Sequence, residues 1–533
     1  MRTFIKNGLI VDGSGGQGFA ADLLVDGGKI AKIGKNLPSD DAEIIDASGL
    51  VVAPGFIDTH PHSDLQILLE PTLPAKIRQG ITTEVFGQDG ISLAPLPIEY
   101  ISPWRKNLAG LDGNTEKIDW HFKNVDGYFK MIEKVEPAIN VCYLVPHGNI
   151  RMEAMGLDGR LATPAELEKM REITRREMLA GAVGLSTGLI YMPCAYADTN
   201  EVIELCKVVA EFDGVFVIHQ RSEADTILES MEEVIQIGRE SGVRVHFSHF
   251  KVCGRKNWGK VDEIIALLEK AEKEGIQVSF DQYPYPSGST MMGVILPPWV
   301  HDGGTDKLLE RLADQSLRQK MVHDIENGIP GWDNFVDFAG VEQIFITSVK
   351  SQKNRDAVGL SLAELGKLRG KDPLNAIFDL LLEEENAVGM VNRWGNEETV
   401  LRFMQRPEMN VCTDGIVGEK PHPRVFGSFP RVLGKYVREE KILTLEQAVY
   451  KMTKKAADTF KLAGRGELKE GFVADICIFN PKTVADKGSF EDPNQPPVGI
   501  EFLLVGGQFA IKNAELMGVQ SGRVLRLSGE SVI

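Results

Sequence analysis

The sequence has few cysteines and no long apolar run, and acidic residues outnumber basic ones. Its 533 residues include six cysteines, none of them in a Cys-x-x-Cys pair. In a chain of this length, scattered cysteines are typical of reduced thiols rather than of a disulfide framework. Residues 1–8 also lack the apolar stretch of a signal peptide. We therefore expect a cytoplasmic protein with free cysteines.

The charge balance and the hydropathy exclude two classes of partner. The chain has 59 Lys and Arg residues against 76 Asp and Glu, a net charge of −17. Nucleic acids and anionic membrane surfaces both select basic patches, so we expect neither as a partner. No uninterrupted apolar stretch approaches the roughly 18 residues of a membrane-spanning helix. Hydrophobic residues at 43% and charged residues at 25% are ordinary for a folded globular protein.

Both ends of the chain alternate apolar and polar residues, which is the pattern of half-buried strands. Gly27 and Gly28 interrupt one such segment and suit a tight hairpin, because glycine accepts a positive φ. We predict one small β-sandwich domain assembled from residues 1–54 and 464–533. The segments that carry the pattern are 3–11, 21–33, 43–52, 473–479 and 500–505.

The middle of the chain alternates short apolar runs with helical patterns. Residues 223–240, for example, place Ile227, Met231 and Val234 on one stripe. Eight buried strands with helices between them predict an α/β fold, a (β/α)8 TIM-like barrel that we assign to residues 55–463. The eight runs are 51–59, 80–87, 139–145, 181–187, 214–219, 243–249, 275–280 and 409–413.

A long gap, roughly residues 286 to 408, separates the seventh and eighth runs. Within it, residues 305–327 have a helical pattern and residues 344–349 have the pattern of a strand. Connections of this length inside a compact domain are usually functional. We predict a small insertion around residues 286–345 that forms a lid beside the active site.

Histidine and aspartate residues follow the barrel runs at their C-terminal ends. In a barrel these ends converge on one face, so residues far apart in the sequence meet there. A single histidine at a strand end is more often structural than a ligand, and Asp-Gly is usually a turn. Six such residues together instead predict a site for one or two divalent metal ions, which imidazole and carboxylate groups bind well. The six are His60, His62, Asp89, His219, His249 and Asp414.

Several longer motifs accompany these residues. They are Pro-Gly-Phe-Ile-Asp-Thr-His-Pro-His at 54–62, Gly-Leu-Ser-Thr-Gly-Leu-Ile-Tyr at 184–191, Pro-His-Pro-Arg at 421–424 and Phe-Glu-Asp-Pro-Asn-Gln at 490–495. Together they span most of the chain and resemble the D-aminoacylase (N-acyl-D-amino-acid deacylase) family of the amidohydrolase superfamily. The resemblance implies a metal-dependent barrel that hydrolyses N-acyl-D-amino acids to a carboxylic acid and a free D-amino acid.

The resemblance also assigns roles to the predicted site. His219 and His249 would hold a tightly bound zinc ion, His60 and His62 would offer a second site, and Asp414 would be the catalytic general base. The best-known members place a metal-ligating cysteine where this chain has Asp89. Aspartate is a harder, less zinc-selective ligand than thiolate. We therefore expect one or two divalent ions at the site, and these need not be zinc.

A small N-acyl-D-amino acid substrate carries a free α-carboxylate, which needs positive, hydrogen-bonding partners. The planar guanidinium of Arg424 suits a carboxylate, and Lys251 adds charge two residues beyond a predicted ligand. By resemblance, Tyr191, Tyr283 and Ser289 would also contact the substrate. These five residues are the predicted substrate-binding set.

Two alternatives compete with this interpretation. A cyclic amidohydrolase, such as a dihydroorotase or hydantoinase, would open a ring amide in the same metal site. The fourth run has no lysine that could be carboxylated to bridge two metals, which argues against it. A non-catalytic relative would be expected to have lost metal ligands, whereas this chain keeps the strand-end histidines and Asp414.

Overall fold

The strands at the two ends of the chain form one sheet. The computed structural model describes residues 2–39 and 41–527; the other residues of the predicted terminal domain, 1, 40 and 528–533, lie outside them. Val51–Pro54 joins the two chain ends, since it pairs in parallel with Arg2–Ile10 and antiparallel with Ile476–Phe479. The nine strands are Arg2–Ile10, Phe19–Asp26, Lys29–Gly34, Glu43–Asp46, Val51–Pro54, Ile476–Phe479, Ile500–Val505, Gln508–Lys512 and Glu515–Leu516.

The terminal sheet has its own apolar core, in which Leu23, Val25, Ile476 and Leu504 are buried together. The predicted hairpin is present, with φ of 56° at Gly27 and 79° at Gly28. Alternation of buried and exposed residues therefore located these strands correctly.

Eight parallel strands form the barrel, each beside its neighbour in chain order. The last strand pairs with the seventh, and the Asp414 N–H donates to the His60 carbonyl at 2.7 Å where the first and eighth strands end. The predicted α/β fold with a barrel and a terminal β unit is confirmed. The barrel strands are Phe56–Asp58, Ile81–Phe86, Asn140–Pro146, Gly184–Gly188, Val215–His219, Arg244–Phe247, Val278–Gln282 and Met409–Val411.

Helices cover the outside of the barrel. The predicted stripe of apolar residues is buried on the helix Ile227–Ser241, at Ile227, Met231 and Val234. The other α-helices of the described residues are Gln66–Leu69, Pro74–Ile77, Ile101–Leu108, Val125–Val135, His147–Met155, Pro164–Leu179, Thr199–Glu211, Val261–Lys273, Thr305–Ala313, Gln315–Asn327, Phe335–Ala339, Leu362–Arg369, Pro373–Glu383, Glu397–Met404, Arg424–Arg431, Leu445–Met452 and Lys454–Thr459, and a π-helix spans Val432–Glu439.

A three-stranded antiparallel sheet lies in the long connection between the seventh and eighth barrel strands. Val388–Asn392 is its central strand, with Gly288–Met291 and Ile344–Val349 on either side. The helical pattern at 305–327 is two helices, because Asp314 ends the first and caps the second through the Ser316 and Leu317 N–H groups. No helix within residues 2–39 or 41–527 combines the length and apolar character that crossing a membrane requires.

Candidate active site

The Asp89 carboxylate lies among four strand-end imidazoles. Its Oδ1 is 3.5 Å from Nε2 of both His60 and His249, and 3.8 Å from His219 Nδ1. Its Oδ2 is 3.6 Å from His62 Nε2. All five side chains are buried. The barrel thus brings together residues that are up to 189 positions apart in the sequence, from His60 to His249.

The backbone around Asp89 explains how its carboxylate reaches the barrel axis. Gly87, Asp89 and Gly90 all have positive φ, of 78°, 58° and 72°. A side-chain carbon at Gly90 would lie 2.8 Å from Cys194 Sγ, so this position requires glycine. Ser186 Oγ donates to the Gly87 carbonyl and accepts from the Gly90 N–H, which fixes both ends of the turn.

Asp414 lies on the opposite side of the site, in contact with one histidine and one arginine. Its Oδ1 is 3.3 Å from His62 Nε2, and its Oδ2 is 2.9 Å from Arg424 Nη1. Arg424 is itself buried, and its guanidinium stacks 4.3 Å from the centroid of the Tyr283 ring. The predicted base and the predicted carboxylate-binding arginine are therefore neighbours.

The donor atoms of the site fit a divalent cation. Among the described residues, both ring nitrogens of His60, His62 Nε2, Asp89 Oδ1 and His219 Nε2 are buried without a hydrogen-bond partner. Unpaired buried polar atoms are costly, and a cation would supply the missing partner. Three groups have donor atoms within 4.8 Å of one another: His60 with His62 and Asp414, His60 with Asp89 and His249, and His219 with Glu223 and His249.

The surrounding charges also favour a cation. Burial lowers the pKa of His219 to about 3 against the opposing charge of Glu223, so its imidazole is neutral, as a metal ligand must be. Burial opposes a charged His62, but the neighbouring Asp112 and Asp414 carboxylates raise its pKa to about 10, so a metal ion would displace a proton from this ring. Burial likewise opposes a charged Asp414, yet Arg424 and His62 hold the pKa of that carboxyl well below its usual range. The Asp414 carboxylate is therefore ionised near neutral pH.

A small cavity opens beside these groups. Lys251, Tyr191, Tyr283 and Ser289 line it together with His219, His249 and Asp414. The Lys251 ammonium is 2.7 Å from Glu223 Oε1, and Tyr191 shares a 2.9 Å hydrogen bond with Thr290. Four of the five predicted substrate residues thus line the cavity, and Arg424 stacks on the Tyr283 ring.

Comparison with known proteins decides the family. The profile described as the amidohydrolase family matches residues 43–281 and 359–511. D-aminoacylase from Alcaligenes xylosoxydans xylosoxydans is 35% identical over 98% of this chain and 96% of its own length. The chain belongs to the D-aminoacylase family of amidohydrolases.

Two further relatives support the assignment of this amidohydrolase to the family. N-acyl-D-glutamate deacylase from the same Alcaligenes organism is also 35% identical, over 98% of this chain and 96% of its own length. The crystal structure of N-acyl-D-glutamate deacylase from Bordetella bronchiseptica, complexed with zinc and a phosphonate inhibitor, superposes with a TM-score of 0.83. The two chains are 35% identical, and the matched region covers 98% of this chain and 99% of the Bordetella chain.

A solved D-hydantoinase is more distant from this amidohydrolase. It has a TM-score of 0.55 and 16% identity, covering 98% of each chain, and this likeness shows the fold alone.

The structure of this amidohydrolase also places residues at the site that the sequence analysis did not select. Glu223 Oε1 is 3.2 Å from His249 Nδ1, and Asp112 Oδ1 is 3.4 Å from His62 Nδ1. Trp394 lines the cavity from the connection between the last two barrel strands. Glu223 follows His219 by four residues, which was an available signal, whereas nothing local marks Asp112 or Trp394.

Proposed function

We propose that the protein hydrolyses the amide bond of N-acyl-D-amino acids, releasing a carboxylic acid and a free D-amino acid. One arrangement carries the proposal: four imidazoles and two carboxylates lie together beside a cavity that Lys251 also lines, and Arg424 contacts one of those carboxylates. The full-length similarity to D-aminoacylase and N-acyl-D-glutamate deacylase supports it. We also propose a cytoplasmic location, which the six free cysteines support.

We propose that the site holds one or two divalent ions, with zinc the first candidate. His219, His249 and Asp89 would bind one ion, while His60, His62 and Asp414 would bind a second. The unpaired nitrogen and oxygen atoms of this set support the assignment, as does the zinc of the Bordetella relative. When bound, a divalent ion lowers the pKa of water and polarises a carbonyl group.

In this proposal Asp414 is the general base. Its lowered pKa keeps the carboxylate deprotonated in the resting site, and in the reaction it would accept a proton from the attacking water. The same carboxyl group then delivers that proton to the leaving nitrogen, so that a neutral amine departs. Contacts of its two oxygens with His62 and Arg424 hold the carboxylate in place between the two events.

Arg424 and Lys251 would bind the α-carboxylate of the substrate. The Nε group of Arg424 has no hydrogen-bond acceptor among the described residues and is available to a ligand, whereas Nη1 lies 2.9 Å from Asp414 Oδ2. Lys251 adds positive charge near Tyr283, with its Nζ 6.0 Å from the ring centroid. Tyr191, Tyr283 and Ser289 complete the proposed substrate-binding set.

A substrate panel tests the proposal against its alternative. Purified, zinc-loaded protein is incubated with matched N-acetyl-D- and N-acetyl-L-amino acids, a hydantoin and dihydroorotate. We expect release of free D-amino acid, with slower or no turnover of the L series. Ring opening without hydrolysis of the linear amides would replace the proposal with a cyclic amidohydrolase.

A further inference from the structure

Two buried hydrogen-bond donors face the cavity without a partner among the described residues. They are the Trp394 indole N–H and the Tyr283 hydroxyl, on side chains that are 3% and 2% exposed. The two donors converge at Gly288. A side-chain carbon at Gly288 would lie 3.1 Å from Trp394 Nε1 and 3.2 Å from the Tyr283 oxygen. Because both donor atoms lie within 3.2 Å of this one point, they are close enough together for a single ligand carboxylate to reach both.

The charges around this space favour an anionic acceptor. The Arg424 guanidinium stacks on the Tyr283 ring at 4.3 Å, and Lys251 Nζ is 6.0 Å from the same centroid. A carboxylate needs several donors and positive charge, and this corner of the cavity supplies both. We propose that Trp394 is a further substrate-binding residue whose indole N–H donates to the α-carboxylate. The assignment rests on the proposed function.

Other contacts hold Trp394 in place independently of its N–H group. Its carbonyl accepts from the Gly254 N–H at 2.9 Å and from the Trp258 indole at 3.4 Å. Its ring packs edge-on against Tyr283, with centroids 6.5 Å apart. Phenylalanine at this position keeps an aromatic ring but loses the donor, so Trp394→Phe isolates the hydrogen bond.

Kinetics with paired substrates test the role of Trp394. For N-acetyl-D-amino acids we expect Trp394→Phe to raise KM about tenfold or more, because hydrogen bonds to charged groups are strong. For the corresponding α-amides, which lack the carboxylate, the same substitution should raise KM much less. Trp299→Phe is the matched control, since the Trp299 indole binds Asp324 away from the cavity.

The outcomes separate the assignment of Trp394 from the proposed function. A variant with unchanged KM, or with equal losses on acid and amide, overturns the Trp394 assignment alone. A wild-type protein that hydrolyses neither substrate overturns the proposed function, and the assignment with it.

A different set of contacts concerns the carboxylate of Glu223, which is buried behind two predicted metal ligands. His219 Nδ1 and His249 Nε2 are 2.8 Å apart and both face Asp89. The opposite ring nitrogens face Glu223 instead. His249 Nδ1 is 3.2 Å from Oε1 and also 2.8 Å from Lys251 Nζ. His219 Nε2, which has no aligned hydrogen bond among the described residues, is 3.6 Å from Oε2. One carboxylate thus spans both imidazoles.

We infer that Glu223 is a positioning residue for His219 and His249. A carboxylate at the far nitrogen of a ligand histidine fixes the ring orientation and the tautomer. Glu223 Oε1 also receives the Lys251 ammonium at 2.7 Å, which balances its charge. Its own backbone is held, because its N–H donates to Asp333 Oδ2 at 2.6 Å.

Metal affinity tests this role directly. Glu223→Gln should bind zinc about 10- to 100-fold more weakly in competition with a chelator, the usual loss when such a carboxylate is removed. Glu233→Gln is the matched control, since Glu233 pairs with Arg221 on the same connection. Glu223→Asp, which keeps the charge, should recover part of the affinity.

Zinc affinity equal to wild type in folded Glu223→Gln overturns the role of Glu223. If that variant does not fold, Glu223→Asp decides in its place: reduced affinity supports the role, and wild-type affinity overturns it.

Discussion

Asp414 Oδ2 lies 2.9 Å from Arg424 Nη1, so the proposed general base touches the proposed carboxylate-binding side chain. A substrate carboxylate bound by Arg424 therefore arrives beside the group that moves the proton. The contact also keeps Asp414 ionised, because the guanidinium lowers the pKa of that carboxyl. Binding and proton transfer are thus linked through one ion pair.

The first prediction concerns Asp414. Asp414→Asn should reduce kcat about 10²- to 10⁴-fold, because an amide cannot accept the proton of the attacking water. The metal content should fall by a smaller factor than kcat, because the four histidines and Asp89 remain as ligands. Kinetics and metal analysis of the same preparation check this, with the exposed Asp356→Asn as the control. Turnover near the wild-type rate in Asp414→Asn would exclude it as the base.

Arg424 provides the second prediction. Arg424→Lys keeps a positive charge but loses the planar fork, so KM for N-acetyl-D-amino acids should rise about tenfold. Substrates whose α-carboxylate is converted to an amide should be affected less. Comparison of the two substrate series by steady-state kinetics separates carboxylate binding from general damage. Equal losses in both series would remove Arg424 from the carboxylate site.

A third prediction uses the unusual backbone of Asp89, whose φ is 58°. Asparagine tolerates this left-handed conformation, so Asp89→Asn keeps the turn and removes only the charge. Zinc affinity should therefore fall, as chelator competition would measure. Asp89→Cys should instead bind zinc with greater selectivity over manganese, because thiolate is the softer ligand. Wild-type affinity in Asp89→Asn would show that this carboxylate does not hold the metal.

The fourth prediction concerns stability away from the site. Burial lowers the pKa of Lys451 from 10.5 to about 7 in the folded protein. Between these two values the unfolded chain binds more protons, so Lys451 makes stability fall as the pH drops from 10.5 to 7. Lys451→Met should therefore raise Tm most at pH 6 to 7, and the difference should shrink towards pH 10. A difference that is constant across this range would contradict the assignment.

The positions of the strands and of the strand-end residues could be predicted from the sequence because both follow from local patterns. Buried parallel strands are continuous apolar runs, and barrel geometry brings His60, His219 and Asp414 to one face wherever they lie in the chain. The strands Gly288–Met291 and Val388–Asn392 were not predicted, because they are short and pair with each other across about 100 residues.

The same reason explains why Trp394 was missed. It enters the cavity only because Val388–Asn392 is the central strand of that sheet. Glu223 was missed for another reason: the periodic pattern assigned it to a helix that begins at Ile227. In the structure the chain from His219 to Glu223 instead turns the carboxylate back toward the histidines.

The most direct test is a zinc titration of metal-free protein while hydrolysis of matched N-acetyl-D- and N-acetyl-L-amino acids is followed. We expect no turnover without metal and a rise in D-amino acid release that saturates at one or two zinc ions per chain. The L substrates should be hydrolysed much more slowly at every point. Full activity in metal-free protein, or saturation of the metal sites with no amide hydrolysis, would contradict metal-dependent deacylation at this site.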